Sequence, residues 1–293
     1  MSRDWHTLTR EELDWAYDQR QHAANMQAVL QRLASAGADV QQRQRTWQRL
    51  AYGSAPIEQF DWYAFGQAQA PVLFFIHGGA WRSGQARDYA FFVEWALAAG
   101  VDVVIPDFNA VTDIDGDLHV LHDQVRRALL WVRQSLAQHH RANAAIHLGG
   151  HSSGAHLAAC LASDASLCEG VQSLTLCSGL YDLEPVSHSA RSQYVRFTEQ
   201  TVDALSPMRH LAQWRAPVTV LCGTQESPEF ICQAQALHAA LQHRGHDTRW
   251  VWGEGLNHFE ILATLEDEHG VLSQCLRSRW PMQPSQHPTE THA

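Results

Sequence analysis

The sequence predicts an α/β domain whose central sheet is mostly parallel and flanked by helices. Two observations predict it. Short apolar runs that read as buried strands alternate with longer amphipathic stretches that read as helices, and strands separated by helices pair in parallel through right-handed crossovers. Within that alternation, Gly150-His151-Ser152-Ser153-Gly154 joins a strand-like run at 144–149 to a helix-like run at 155–162. A strand–turn–helix of this form, with glycines relieving the crowding, lifts one serine clear of the backbone.

Each element follows from its local pattern. The first fifty residues are polar and helix-prone, with Thr9-Arg10-Glu11-Glu12 in capping-box form ahead of Leu13, Trp15, Ala16 and Tyr17. Residues 1–50 are therefore expected as a helical arm that contributes to a cap. Residues 51–280 are expected as the α/β domain, and the polar, Pro-containing stretch 281–293 as a disordered tail. Beyond Pro71, strands are expected at 72–76, 101–106, 144–149, 173–177, 218–222 and 248–252, with helices near 89–99 and 118–139 between them. The segment 184–211 is long for a connection and is expected to complete the cap.

Composition excludes several chemistries. The formal net charge is −10, with no basic stripe or zinc-finger spacing, which argues against a nucleic-acid partner. All 21 residues of the Lys+Arg class are arginine, so Schiff-base chemistry, a Walker-A loop and a Ser-Lys dyad are excluded together. Cysteines 160, 168, 177, 222, 232 and 275 form no C-x-x-C pair and suit small buried hydrophobes. The amino terminus has no signal-peptide run and no stretch is long enough to span a bilayer, so a cytoplasmic protein with no membrane partner is expected. No metal site and no cofactor are expected.

Ser152 is the expected nucleophile, and two further motifs supply its partners. After the strand ending at Ile76 comes His77-Gly78-Gly79-Ala80-Trp81. Backbone N–H groups of Gly78 and Gly79, with that of Ser153, are expected to form an oxyanion hole; His77 is expected to shape the loop. Gly255-Leu256-Asn257-His258-Phe259 follows the last strand, where the chain order nucleophile, acid, base places the base. Among 19 histidines, His258 is singled out by that position. His151 and His156 flank the turn and are expected to be structural. The acid should follow the strand at 218–222, where Glu226 and Glu229 stand; Glu226 is nearer the strand end and is preferred, with Asp182 as the alternative.

With these residues in place, the chain resembles the arylformamidase (kynurenine formamidase) branch of the esterase/lipase-type α/β-hydrolases over roughly residues 50–275. The marks are His77-Gly78-Gly79-x-Trp81, the turn with Gly154-Ala155-His156-Leu157, and Ser178-Gly179-Leu180-Tyr181-Asp182-Leu183-Glu184-Pro185. Leu205-Ser206-Pro207, Glu226-Ser227-Pro228-Glu229-Phe230 and Asn257-His258-Phe259 complete them. The resemblance implies an α/β-hydrolase fold, a Ser152–Glu226–His258 triad, and hydrolysis of an N-formyl anilide such as N-formyl-kynurenine. The eukaryotic formamidases carry aspartate where Glu226 stands. Trp81, Tyr181 and Phe259 are candidates to stack on an aryl ring. Asp182, Glu184, Glu229 and Arg191 are unranked candidates to meet an amino-acid substrate's charge. A short-chain carboxylesterase, another N-acyl arylamine amidase and a non-catalytic binding protein are the alternatives. The partner expected is a small aryl amide or ester, and the resemblance also allows a homodimer.

Overall fold

The computed structural model describes residues 4–168 and 170–280, so the expected tail at 281–293 lies outside the described residues. Eight strands form one sheet: β1 (Trp47–Ala51), β2 (Gln59–Tyr63), β3 (Val72–Ile76), β4 (Asp102–Pro106), β5 (Ile146–His151), β6 (Val171–Cys177), β7 (Val218–Gly223) and β8 (Thr248–Gly253). Their order is β1-β2-β4-β3-β5-β6-β7-β8. The β1–β2 and β2–β4 pairs are antiparallel and all the others parallel, giving the mostly parallel sheet of an α/β-hydrolase.

Strand alternation divides the core in two. Val72, Phe74 and Ile76 of β3 pack into one cluster, while Leu73 and Phe75 pack into the other. Successive side chains of a strand leave opposite faces of the sheet, and a strand covered on both faces reads as continuous apolar sequence. Helices α4 (Leu118–Gln138), α5 (Ser153–Ala162) and α9 (Pro228–His243) cover the first face. Helices α2 (Met26–Arg43), α3 (Val93–Ala98), α10 (His258–Ala263) and α11 (Val271–Arg277) cover the second. The remaining helices are α1 (Arg10–Ala16), α6 (Ala165–Cys168), α7 (Leu183–Ser187) and α8 (Glu199–Ala204).

The arm holds helices α1 and α2, and Thr9 makes the capping box read from the sequence. Strands β1 and β2 carry no apolar run comparable to that of β3 and were not expected. Strand β1 straddles residue 50, so the sheet begins inside the arm rather than after it. Among the described residues, no helix is long and apolar enough to cross a membrane.

Candidate active site

Strand β5 ends in a tight turn at Ser152, whose φ of 56° and ψ of −125° lie in a sparsely populated region for a residue with a side chain. The turn is held from both sides: the Ser152 N–H donates to Cys177 O at 2.8 Å, and Ser152 O accepts from His156 N–H. Gly154 is required because α5 crosses β3 closely, and a Cβ there would lie 2.0 Å from the Ile76 carbonyl oxygen. The sheet therefore presents the Ser152 hydroxyl where β5 meets α5.

The structure brings Ser152, His258 and Glu226 into one hydrogen-bonded chain. His258 opens α10, where Asn257 and Glu260 form a reciprocal capping box that fixes the helix start. Its Nε2 lies 2.9 Å from Ser152 Oγ and its Nδ1 lies 2.6 Å from Glu226 Oε2. A carboxylate can only accept, so Nδ1 carries the proton and Nε2 is left to accept from the serine hydroxyl.

Glu226 receives four donors. Its Oε1 accepts from Ser178 Oγ at 2.5 Å and Gly223 N–H at 2.8 Å; its Oε2 accepts from His258 and from Gln19 Nε2 at 3.2 Å. Burial alone would raise this carboxyl, but His258 and the hydrogen bonds from Ser178 and Gly223 outweigh it and hold the group below the ordinary glutamate value. The alternative acid, Asp182, instead caps α7 by accepting from Glu184 N–H. Glu229 is buried at the start of α9, and the carboxylate on His258 Nδ1 is that of Glu226.

His151 and His156 have structural partners. His151 Nε2 donates to the His258 carbonyl at 2.9 Å, and burial lowers its pKa to about 3. His156 donates from Nε2 to Leu205 O and accepts at Nδ1 from Trp81 Nε1 at 3.2 Å; burial lowers it to about 4. His77 stacks on Phe108 at 4.3 Å within the loop after β3.

That loop corrects one expectation. The Gly78 N–H donates to Tyr89 Oη at 3.1 Å and is not available to an oxyanion. Gly79 and Ala80 line the cavity beside Ser152, and among the described residues their N–H groups have no hydrogen-bond acceptor. Gly79 adopts φ +123°, and a Cβ there would meet Ser83 O at 1.9 Å; Ala80 follows at φ 55°. Ser153 is the first residue of α5, where an N–H has no intrahelical acceptor. The available donors are thus Gly79, Ala80 and Ser153. Ala80 was missed because no sequence signal says which loop amide is already bonded.

A cavity of about 1000 Å³ opens over Ser152 and His258, walled by the arm, the loop after β3 and residues 189–194. Phe259 lines it, but Trp81 and Tyr181 do not. Trp81 is 1% exposed and Tyr181 fully buried, so both expectations of ligand stacking are corrected: each packs in the core. Trp81 bonds His156 and lies under the Arg191 guanidinium, 5.4 Å from its carbon to the ring centroid.

With this geometry established, the chain can be compared with known proteins. A BD-FAE family model matches residues 63–175. A kynurenine formamidase of Danio rerio is 27% identical over 93% of this chain and 97% of its own length. A kynurenine formamidase of Salmo salar is 26% identical over 94% and 98%. A solved chain from Silicibacter sp. tm1040 superposes with a TM-score of 0.80 at 23% identity, covering 90% of this chain and 98% of that one.

Proposed function

We propose that this arylformamidase-like α/β-hydrolase is a serine hydrolase that cleaves N-formyl or short N-acyl arylamines through an acyl-enzyme. One observation carries the reading: the Ser152–His258–Glu226 chain has a single consistent hydrogen-bond direction and ends in an open cavity beside uncommitted N–H groups. The relatives named kynurenine formamidases, matched over nearly the whole chain, support the choice of an aryl formamide.

In the first half-reaction His258 Nε2 takes the Ser152 proton as Oγ attacks the acyl carbon. The oxyanion then accepts from Gly79, Ala80 and Ser153 N–H groups, which need no reorganisation at the moment charge develops. Glu226 stabilises the imidazolium and keeps the Nδ1 proton in place. The C–N bond breaks as Nε2–H protonates the departing amine. Water then attacks the acyl-enzyme and gives a proton to Nε2, which returns it to Ser152 Oγ as the acid leaves, formate in the formyl case.

A panel of formanilides and N-acetyl anilides, followed by formate release and amine absorbance beside p-nitrophenyl acetate hydrolysis, tests this. Formanilide turnover that vanishes in Ser152→Ala, together with its fluorophosphonate labelling, is expected. Ester turnover with no formanilide cleavage would leave a carboxylesterase and sink the amide reading.

A further inference from the structure

The loop that carries Glu226, residues 223–227 between β7 and α9, is held by two different parts of the chain. Around β8, Gly253 O accepts from Thr224 N–H and Leu256 O accepts from Gln225 N–H, both at 3.0 Å. From the arm, Gln19 Oε1 accepts from Ser227 N–H at 3.3 Å. The same side chain donates from Nε2 to Glu226 Oε2 at 3.2 Å and reaches Ser227 Oγ at 3.3 Å. A backbone N–H can only donate and a carboxylate can only accept, so the amide has one consistent orientation here. Gln19 is 4% exposed, and its backbone is anchored beside it. The Tyr17 ring is buried against Phe230, Tyr17 Oη accepts from Gln233 Nε2 at 3.1 Å, and Tyr17 O accepts from Arg191 at 2.8 Å.

The acid needs such a contact. A glutamate has one more rotatable bond than an aspartate, so its carboxylate must be fixed at both oxygens to stay on His258 Nδ1. Ser178 Oγ and Gly223 N–H fix Oε1. At Oε2, among the described residues, the donors are His258 itself and Gln19. The other titratable side chains acting with Glu226 are His151, Cys177, Cys222 and Tyr181. Burial lowers His151 to about 3 and raises both thiols and the phenol well above their ordinary values, so none of the four changes charge near neutral pH. The acidic limb of a rate profile therefore reports the Glu226–His258 couple. Glu229 on the first turn of α9, Arg191 beside Tyr17 and the Asp18–Arg20 pair surround this region and are the same in parent and variants.

We propose that Gln19 is a positioning residue: it holds Glu226 Oε2 against His258 Nδ1, so that docking of the arm completes the acid's hydrogen-bond shell. This rests on the reading of Ser152, His258 and Glu226 as the triad. Gln19 acts through Glu226. As His258 becomes an imidazolium, the amide keeps the carboxylate in register with it, and an interaction of that kind bears on turnover rather than on substrate binding.

Kinetics of the full chain on p-nitrophenyl acetate, with thermal melts in parallel, test it. Gln19→Met keeps the length of the side chain and removes its donor and acceptor. It should lower kcat about tenfold or more while KM stays within about twofold. Gln19→Glu keeps an acceptor for Ser227 N–H but sets a second carboxylate against Glu226. Two carboxylates at one site favour an added proton on the group, so the acidic midpoint of kcat/KM should move upward by about one pH unit. A kcat within about twofold in folded Gln19→Met overturns the proposal, as does a loss confined to KM or an unmoved acidic midpoint in Gln19→Glu. If Gln19→Met does not fold, the pH profile of Gln19→Glu decides. Glu226→Gln separates this proposal from the triad reading beneath it. Loss of turnover there, with none in Gln19→Met, overturns the role of Gln19 alone; turnover retained in Glu226→Gln overturns the acid and this proposal with it.

Discussion

Replacing Glu226 by glutamine changes one atom and tests the whole hydrogen-bond direction of the site. All four groups around the carboxylate are donors: His258 Nδ1 and Gln19 Nε2 on one oxygen, Ser178 Oγ and Gly223 N–H on the other. A glutamine can satisfy only one of these sides. With its NH₂ toward Gly223, a buried backbone N–H that cannot turn faces another donor, at a cost of about 1–3 kcal/mol. With its NH₂ toward His258, the histidine can answer by switching tautomer. The second arrangement is therefore preferred, and it puts the proton on Nε2, facing Ser152 Oγ. The base then has no lone pair for the serine.

A triad left in the wrong tautomer loses on the order of 10⁴ in kcat, or about 5–6 kcal/mol of barrier. The fold should survive, because the side chain stays in place and no cavity opens. The assay is kcat on p-nitrophenyl acetate and on whichever formanilide is best, with thermal melts of parent and variant in parallel. Asp182→Asn is the matched control and should leave kcat within about twofold, since Asp182 only caps a five-residue helix. Retention of kcat within about tenfold in folded Glu226→Gln, or a comparable loss in Asp182→Asn, refutes the assignment of the acid.

Gly79→Ala should lower kcat about 10²–10³-fold and also lower the melt by a few degrees, because a side chain is strained at φ +123°. The added methyl cannot fit beside Ser83 O, so the loop must shift and take an oxyanion donor with it; unchanged kcat would move the hole elsewhere. Tyr181→Phe should leave KM unaltered, because the ring is fully buried outside the cavity; a several-fold KM change for aryl substrates would restore a binding role. Stability should fall steeply in acid. Burial holds His147, His151 and His156 at about 4, 3 and 4, against about 6.5 unfolded, so the unfolded chain binds more protons below pH 6.5. Stability thus rises with pH in this window, each histidine contributing up to about 1.4 kcal/mol per pH unit, and the loss begins as pH drops below about 6.5. Urea unfolding from pH 7 to 4.5 measures the slope, and His147→Gln, away from Ser152, should make it shallower by about one proton; a flat profile contradicts the neutral burial of these rings.

The difference between what the sequence disclosed and what it concealed follows from how each residue is placed. Ser152, Glu226 and His258 are attached to the ends of β5, β7 and β8, whose apolar runs announce them, so strand order alone indicates where the three side chains converge. The strand core was legible for the same reason, whereas β1 and β2, at the edge of the sheet, lack the continuous apolar run that two-sided burial imposes. Directions within loops were not legible. Ala80 and Trp81 both take positive φ, at 55° and 61°, which turns the loop so that Gly79 and Ala80 border the cavity while the Trp81 ring enters the core. No periodicity encodes such a reversal. Contacts between distant segments were equally silent. Gln19, some two hundred residues before Glu226, hydrogen-bonds its carboxylate and Ser227 Oγ, while Arg191 holds the carbonyl of Tyr17. The arm is thus tied to the carboxylate of the proposed triad, and the segment after α7 is tied to the arm. A substitution in the arm should therefore register in turnover as well as in substrate choice, which a cap that merely covers the cavity would not require.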